Sequence, residues 1–121
     1  MNWLELQLSS ASADTKFLLI GHIFPGMNYY GDVEQFWNQT FIESYLNILE
    51  TYADKIIAFS GAHIHTGNIR APMVALNDSS ISSPILINPA LSPIYSNNPC
   101  YGILEIDTSS LQITNLTWRF F

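Results

Sequence analysis

The strongest periodic signal lies in residues 33–53. There Trp37, Phe41, Tyr45, Ile48 and Tyr52 recur every three or four positions and so share one face of a helix. On either side the pattern shortens. Thr15-Lys16-Phe17-Leu18-Leu19-Ile20 is an apolar run that stops at Gly21, and Lys55–Phe59 is a second that stops at Ser60-Gly61. Short apolar runs closed by glycine are the pattern of buried strands. Strand, helix and strand in that order, with a helix long enough to cross back, predict a parallel pair joined in the right-handed sense. Residues 3–12 fit both periods: Leu4, Leu6 and Leu8 alternate like a strand, while Leu4, Leu8 and Ala11 fit a helix face. The stretch Gly21–Gly31, rich in Gly, Pro and Asn, reads as a loop. Beyond Gly67 the texture changes. Short strand candidates near Pro72–Leu76, Pro84–Ile87, Tyr101–Asp107 and Leu111–Trp118 are separated by Asn, Ser, Pro and Gly, which predicts antiparallel or mixed β structure. The expectation is one α/β unit over residues 1–121, with a mixed sheet and one long crossover helix.

Composition narrows the function classes. A chain of 121 residues suits one domain, and its 48% hydrophobic content is enough for a core. Net charge is −6, and the only cations are Lys16, Lys55, Arg70 and Arg119. Four scattered cations assemble neither a nucleic-acid surface nor a basic membrane-binding helix. No apolar run reaches the ~18 residues of a transmembrane helix. Met1–Glu5 lacks the basic and apolar regions of a secretory leader, yet sequons at Asn38, Asn77 and Asn115 hint at a glycoprotein of the secretory or lysosomal route. Cys100 is the only cysteine, so neither an intrachain disulfide nor a thiolate zinc site is available; it reads as a small buried or half-buried thiol.

The candidate chemistry lies in the three histidines. His22 follows the first strand run, and His63 and His65 follow the second. Functional groups of open α/β sheets gather beyond the carboxyl ends of parallel strands, so two neighbouring strands would deliver all three imidazoles to one edge. In an extended segment His63 and His65 point to the same side, ~6.5 Å apart along the chain, a spacing that suits two nearby metal ions better than one. Neutral imidazole is a good ligand for zinc, iron or manganese. Spacing alone leaves ordinary loop histidines as the commoner reading.

Four segments carry a family resemblance. Gly21-His22-Ile23-Phe24-Pro25-Gly26 resembles the "GHIPPG" segment of acid-sphingomyelinase-like phosphodiesterases. Gly61-Ala62-His63-Ile64-His65 resembles the "GHxH" segment that is the last signature of calcineurin-like metallophosphoesterases. Asn88–Tyr101 is similar to the "PSxTPxxxxNPxYR" stretch, and Trp3–Leu8 to the "WLexxL" helix. The resemblance implies the C-terminal half of an α/β sandwich and a parent activity of phosphoester hydrolysis by a metal-activated nucleophile. It implies a dinuclear centre, with zinc the expected metal. His22 and His63 match ligands of one ion and His65 a ligand of the other. Ala62 stands where the family has Gly, and Phe24 where it has Pro. The family's Asp-x-His, Gly-Asp-x-x-Asp and Gly-Asn-His-Glu/Asp signatures have no match in these residues; Gly31–Gln35 is a poor echo. The chain is therefore expected to contribute three ligands to a centre completed elsewhere, to be inactive alone, and to self-associate or join a partner chain. The rival expectation is a non-catalytic structural or interaction subunit that kept the fold and lost the site.

Overall fold

A computed structural model describes residues 1–29, 33–71 and 83–121. Its elements in chain order are α1 (Asn2–Ser10), β1 (Phe17–Ile20), β2 (Met27–Asn28), β3 (Glu34–Gln35), α2 (Gln39–Tyr52), β4 (Ile56–Gly61), β5 (Asn68–Arg70), β6 (Ile85–Ile87), a 3₁₀ turn (Ile94–Ser96), β7 (Cys100–Ile106) and β8 (Ile113–Phe120). The central sheet runs β1-β4-β6-β5. β1 and β4 pair in parallel, as do β4 and β6, while β5 runs antiparallel to β6. β2–β3 and β7–β8 are separate antiparallel pairs. The mixed α/β architecture and the parallel strand pair joined through a crossover helix are both present. The strand candidate at Pro72–Leu76 lies outside the described residues.

Burial explains which apolar residues define the elements. One side of the sheet is covered by Leu8 of α1 and by Tyr45, Ile48 and Leu49 of α2, which cluster with Ile56, Phe59, Ile85 and Ile87. Each aliphatic side chain so buried contributes roughly 1.5–3 kcal/mol relative to exposure. Every residue of β6 is buried, the pattern of a strand flanked on both edges and covered on both faces.

Three differences from the periodic reading have physical causes. Of the ambiguous residues 3–12, those up to Ser10 are helical, and carbonyls at the C-terminal end of α1 are satisfied by Lys55, whose Nζ donates to Leu8 O at 2.8 Å and Ala11 O at 2.9 Å. A cation at a helix C-terminus also meets the favourable end of the helix dipole. α2 begins only at Gln39, because Asn38 caps it by accepting from Thr40 N at 3.0 Å. Trp37 therefore precedes the helix, and Phe41 points to solvent at 56% exposure. Finally, the Gly21–Gly31 loop contains β2, tied back to β3 by a short hairpin.

Candidate functional site

His22 and His63 meet at the carboxyl ends of two adjacent strands. His22 lies two residues past β1, and His63 two residues past β4. Gly21 N donates to Ser60 O at 3.1 Å, and Ala62 N to His22 O at 2.9 Å, so the β1–β4 ladder continues just far enough to set the two loops side by side. The rings touch: His63 Nδ1 lies 3.4 Å from His22 Nε2, with centroids 5.3 Å apart at 79°. Both residues are exposed. The far side of the His63 ring meets the edge of Phe36, 5.2 Å away.

His65 goes elsewhere. The segment is not extended, since His63 and His65 both sit at positive φ, 77° and 62°. A left-handed conformation at a non-glycine residue costs on the order of 1–3 kcal/mol and persists only where surroundings enforce it. The bends break the alternation on which a common side for the two rings depended. The imidazole of His65 packs against Tyr95 at 5.4 Å, and its buried Nδ1 has no hydrogen-bond partner among the described residues. Among the described residues no group of three or more His, Cys, Asp or Glu side chains stands close enough to hold a metal ion.

What enforces the histidine loop is a set of contacts that spacing did not reveal. Asn88, one residue past β6, donates from Nδ2 to Ser60 Oγ at 2.8 Å and to Gly61 O at 2.9 Å, and from its backbone to Gly61 O at 2.8 Å. Ala90 N donates to His65 O at 3.1 Å, and Cys100 N to Ala90 O at 2.9 Å. The loop is thus stitched to the segment before β7. Cys100 is fully buried, as expected of a structural thiol.

Of the two motif departures, Phe24 has a packing context, and nothing in the structure explains Ala62. Phe24 is fully buried, edge-on to Phe36 at 5.2 Å. A Cβ on Gly61 would lie 2.9 Å from the Phe24 Cβ and 3.3 and 3.4 Å from two of its ring carbons, so the backbones at 24 and 61 approach closely only because residue 61 is glycine. Phe36 and Trp118 carried no motif signal, and Asn88 opened a motif-like segment without any sign that it would brace the histidine loop. A cleft of about 450 Å³ opens between Phe36, His63 and Tyr95, floored by Ile64 and Thr66. A second, of about 340 Å³, lies beside His65 and Trp118.

A mixed sheet that presents paired imidazoles beyond its parallel strands defines the class, an α/β protein with its candidate site at the carboxyl edge. The relatives make that particular. The chain is 32% identical over 98% of its length to sphingomyelinase phosphodiesterase D of Dictyostelium discoideum, covering 27% of that protein. It is 31% identical over 95% of its length to sphingomyelinase phosphodiesterase C of the same organism, covering 30% of it. It is 27% identical over 98% of its length to mouse acid sphingomyelinase-like phosphodiesterase 3b, covering 28% of that protein. No protein-family model matches. Over nearly its whole length the chain is thus a relative of the acid-sphingomyelinase-like phosphodiesterases, and it aligns with their C-terminal part.

Proposed function

We propose that this chain supplies part of the metal centre of a phosphoester hydrolase, with His22 and His63 as ligands of one divalent ion and His65 as a ligand of a second. The observation that carries the reading is the His22–His63 contact across neighbouring parallel strands. Two ring nitrogens 3.4 Å apart share at most one proton, and a cation can take the place of that proton. The strained φ of His63 and His65 is a second support, because backbone strain of this kind clusters at functional sites. The fit is partial. A dinuclear hydrolytic centre holds its ions about 3.5–4 Å apart with bridging carboxylates, and no carboxylate joins these imidazoles among the described residues. Bound metal, with zinc expected, would supply Lewis-acid polarisation of a phosphoryl oxygen. The part played by this chain is to hold imidazole donors on a rigid loop and to shape the adjoining cleft.

The reading is tested by calorimetric titration with zinc. Weak binding is expected, and it should be abolished in His22→Ala and His63→Ala. Hydrolysis of bis-p-nitrophenyl phosphate by the 121-residue chain should not exceed that of a metal-only control. Nanomolar binding of two ions with chelator-sensitive turnover would overturn the idea of a partial centre. The packing of His65 against Tyr95, away from the other two rings, favours a second reading, a non-catalytic subunit of the same fold. Zinc binding insensitive to His22→Ala and His63→Ala would favour it.

A further inference from the structure

The three Asn-x-Ser/Thr sequons play no part in the metal-centre reading, and they differ in what surrounds them. Asn77 lies outside the described residues. Asn115 is inside β8, where its Nδ2 donates to Thr117 Oγ1 at 3.1 Å. Asn38 stands in the short link between β3 and α2, and Asn38, Gln39 and Thr40 are all exposed. The two residues before it turn the other way. Phe36 meets Phe24 and His63, each at 5.2 Å. The Trp37 ring packs on Tyr45 at 5.6 Å, and its Nε1 donates to Ile23 O at 3.0 Å. With both rings anchored inward, the backbone at Asn38 takes φ −57° and ψ 141°, a polyproline-like conformation, and residue 38 is left on the solvent side. The helix cap uses only half of its side chain. Oδ1 accepts from Thr40 N at 3.0 Å, while Nδ2 has no hydrogen-bond partner among the described residues. Gln39, the middle residue of the sequon, donates from Nε2 to Glu43 Oε1 at 3.0 Å, which carries its side chain along α2 and away from Asn38.

We propose that Asn38 is an acceptor of N-linked oligosaccharide, with capping and modification assigned to different atoms of one side chain. The co-substrate is an oligosaccharide carried on a polyprenyl diphosphate. Nδ2 forms a bond to the anomeric carbon as the bond from that carbon to the diphosphate oxygen breaks. The diphosphate leaves with the electron pair, and one of the two amide hydrogens leaves the nitrogen as a proton. Oδ1 keeps its lone pairs, so the hydrogen bond from Thr40 N survives the modification and α2 keeps its cap. The exposed position admits a bulky polar group without displacing any packed side chain. The sugar is rooted two residues from Phe36, which lines the larger histidine cleft, and both imidazoles are untouched by it. Nothing in the modification depends on a bound metal.

The test translates the 121-residue chain, behind a cleavable leader, with microsomal membranes that hold the lipid-linked donor. Two variants accompany it. Thr40→Ala removes the hydroxyl that the sequon needs and keeps the backbone N–H that Asn38 caps. Asn38→Asp removes the acceptor nitrogen and keeps an acceptor oxygen at the cap. Each variant should migrate with one oligosaccharide fewer than the wild-type chain, whatever the other two sequons carry. Release of the sugar by peptide N-glycosidase in heavy-oxygen water should leave a labelled aspartate at position 38 of the wild-type chain. The modified wild-type chain should resist limited proteolysis as well as Asn38→Asp does, because both keep the cap. The proposal is overturned by identical migration of all three chains, or by recovery of residue 38 without the label. It is also overturned if the modified chain is digested much faster than Asn38→Asp, since the fold would then not accommodate the sugar.

Discussion

Gly67 has the indole of Trp118 where a side chain would begin. A Cβ there would lie 2.8 Å from Cε2 and 3.0 Å from two further ring atoms. The closeness is what lets β8 dock onto the histidine loop, so Gly67→Ala should cost about 1–3 kcal/mol through overpacking, read as a lowered midpoint in thermal or denaturant unfolding. An unchanged midpoint would mean that the indole can swing aside. At Tyr45 the expected sign is opposite. Its hydroxyl is an orphan, so Tyr45→Phe should leave the fold as stable or up to about 1 kcal/mol more stable. Burial also holds the Tyr45 phenol well above its ordinary value of 10.0. The contribution of the neutral phenol is then complete below pH 10.0 and is lost as pH rises beyond it, because the unfolded chain ionises first. Wild-type protein should therefore lose stability above that pH more steeply than Tyr45→Phe. At this scale the sequence made the His22–His63 meeting legible, since it follows from strand order alone. It could not place His65, because left-handed bends at His63 and His65, one residue apart, obey no periodicity.

Elements were legible where one face is buried and blurred where capping or a turn decides the boundary. The run ending at Ile20 and the run ending in Gly61 became β1 and β4, as their unbroken apolar character requires. The start of α2 was misplaced because Trp37 continues the helical spacing, while its indole in fact donates from Nε1 to Ile23 O at 3.0 Å and holds the loop after His22. The cap at Asn38 is what stops the helix there, and Asn38→Ala should cost about 1 kcal/mol. Thr or Ser at the same position should restore most of it in urea unfolding. The β7–β8 hairpin turns on Asp107, whose carboxylate accepts from Ser110 N at 2.6 Å, Ser110 Oγ at 2.9 Å and Ser109 N at 3.0 Å. Those hydrogen bonds, that from the Ser110 backbone first, hold its carboxyl below the ordinary value of 3.8. The stabilisation is present above pH 3.8 and is lost as pH falls through the lower folded value. Amides at the hairpin end should exchange faster in Asp107→Ala at neutral pH. Equal exchange in variant and wild type would show that the turn holds without the carboxylate.

Among the described residues a four-stranded sheet, covered by α1 and α2 and accompanied by the β2–β3 and β7–β8 pairs, has β1 on one edge. Among the described residues β1 pairs only with β4, and Ile20 at its end is 79% exposed. An open edge carrying an apolar side chain is a template for another strand. The chain spans 27–30% of the curated relatives it matches, so most of those proteins has no counterpart in these residues. A strand order of β1-β4-β6-β5 could not be read beyond its first pair, because β5 is three residues long and β6 carries no alternation. The open edge leads to the last prediction. The 121-residue chain in isolation should self-associate through β1, its average mass in sedimentation rising with concentration. Ile20→Lys should return it to monomer, because an edge lysine penalises strand addition and Ile20 has little packing to lose. Ile103→Lys, on the β7–β8 hairpin and 41% exposed, serves as the control and should leave association unchanged. Equal association of all three proteins would move the contact away from β1. Monomeric wild-type chain at every concentration would mean that the twist and shortness of β1 protect the edge without a partner.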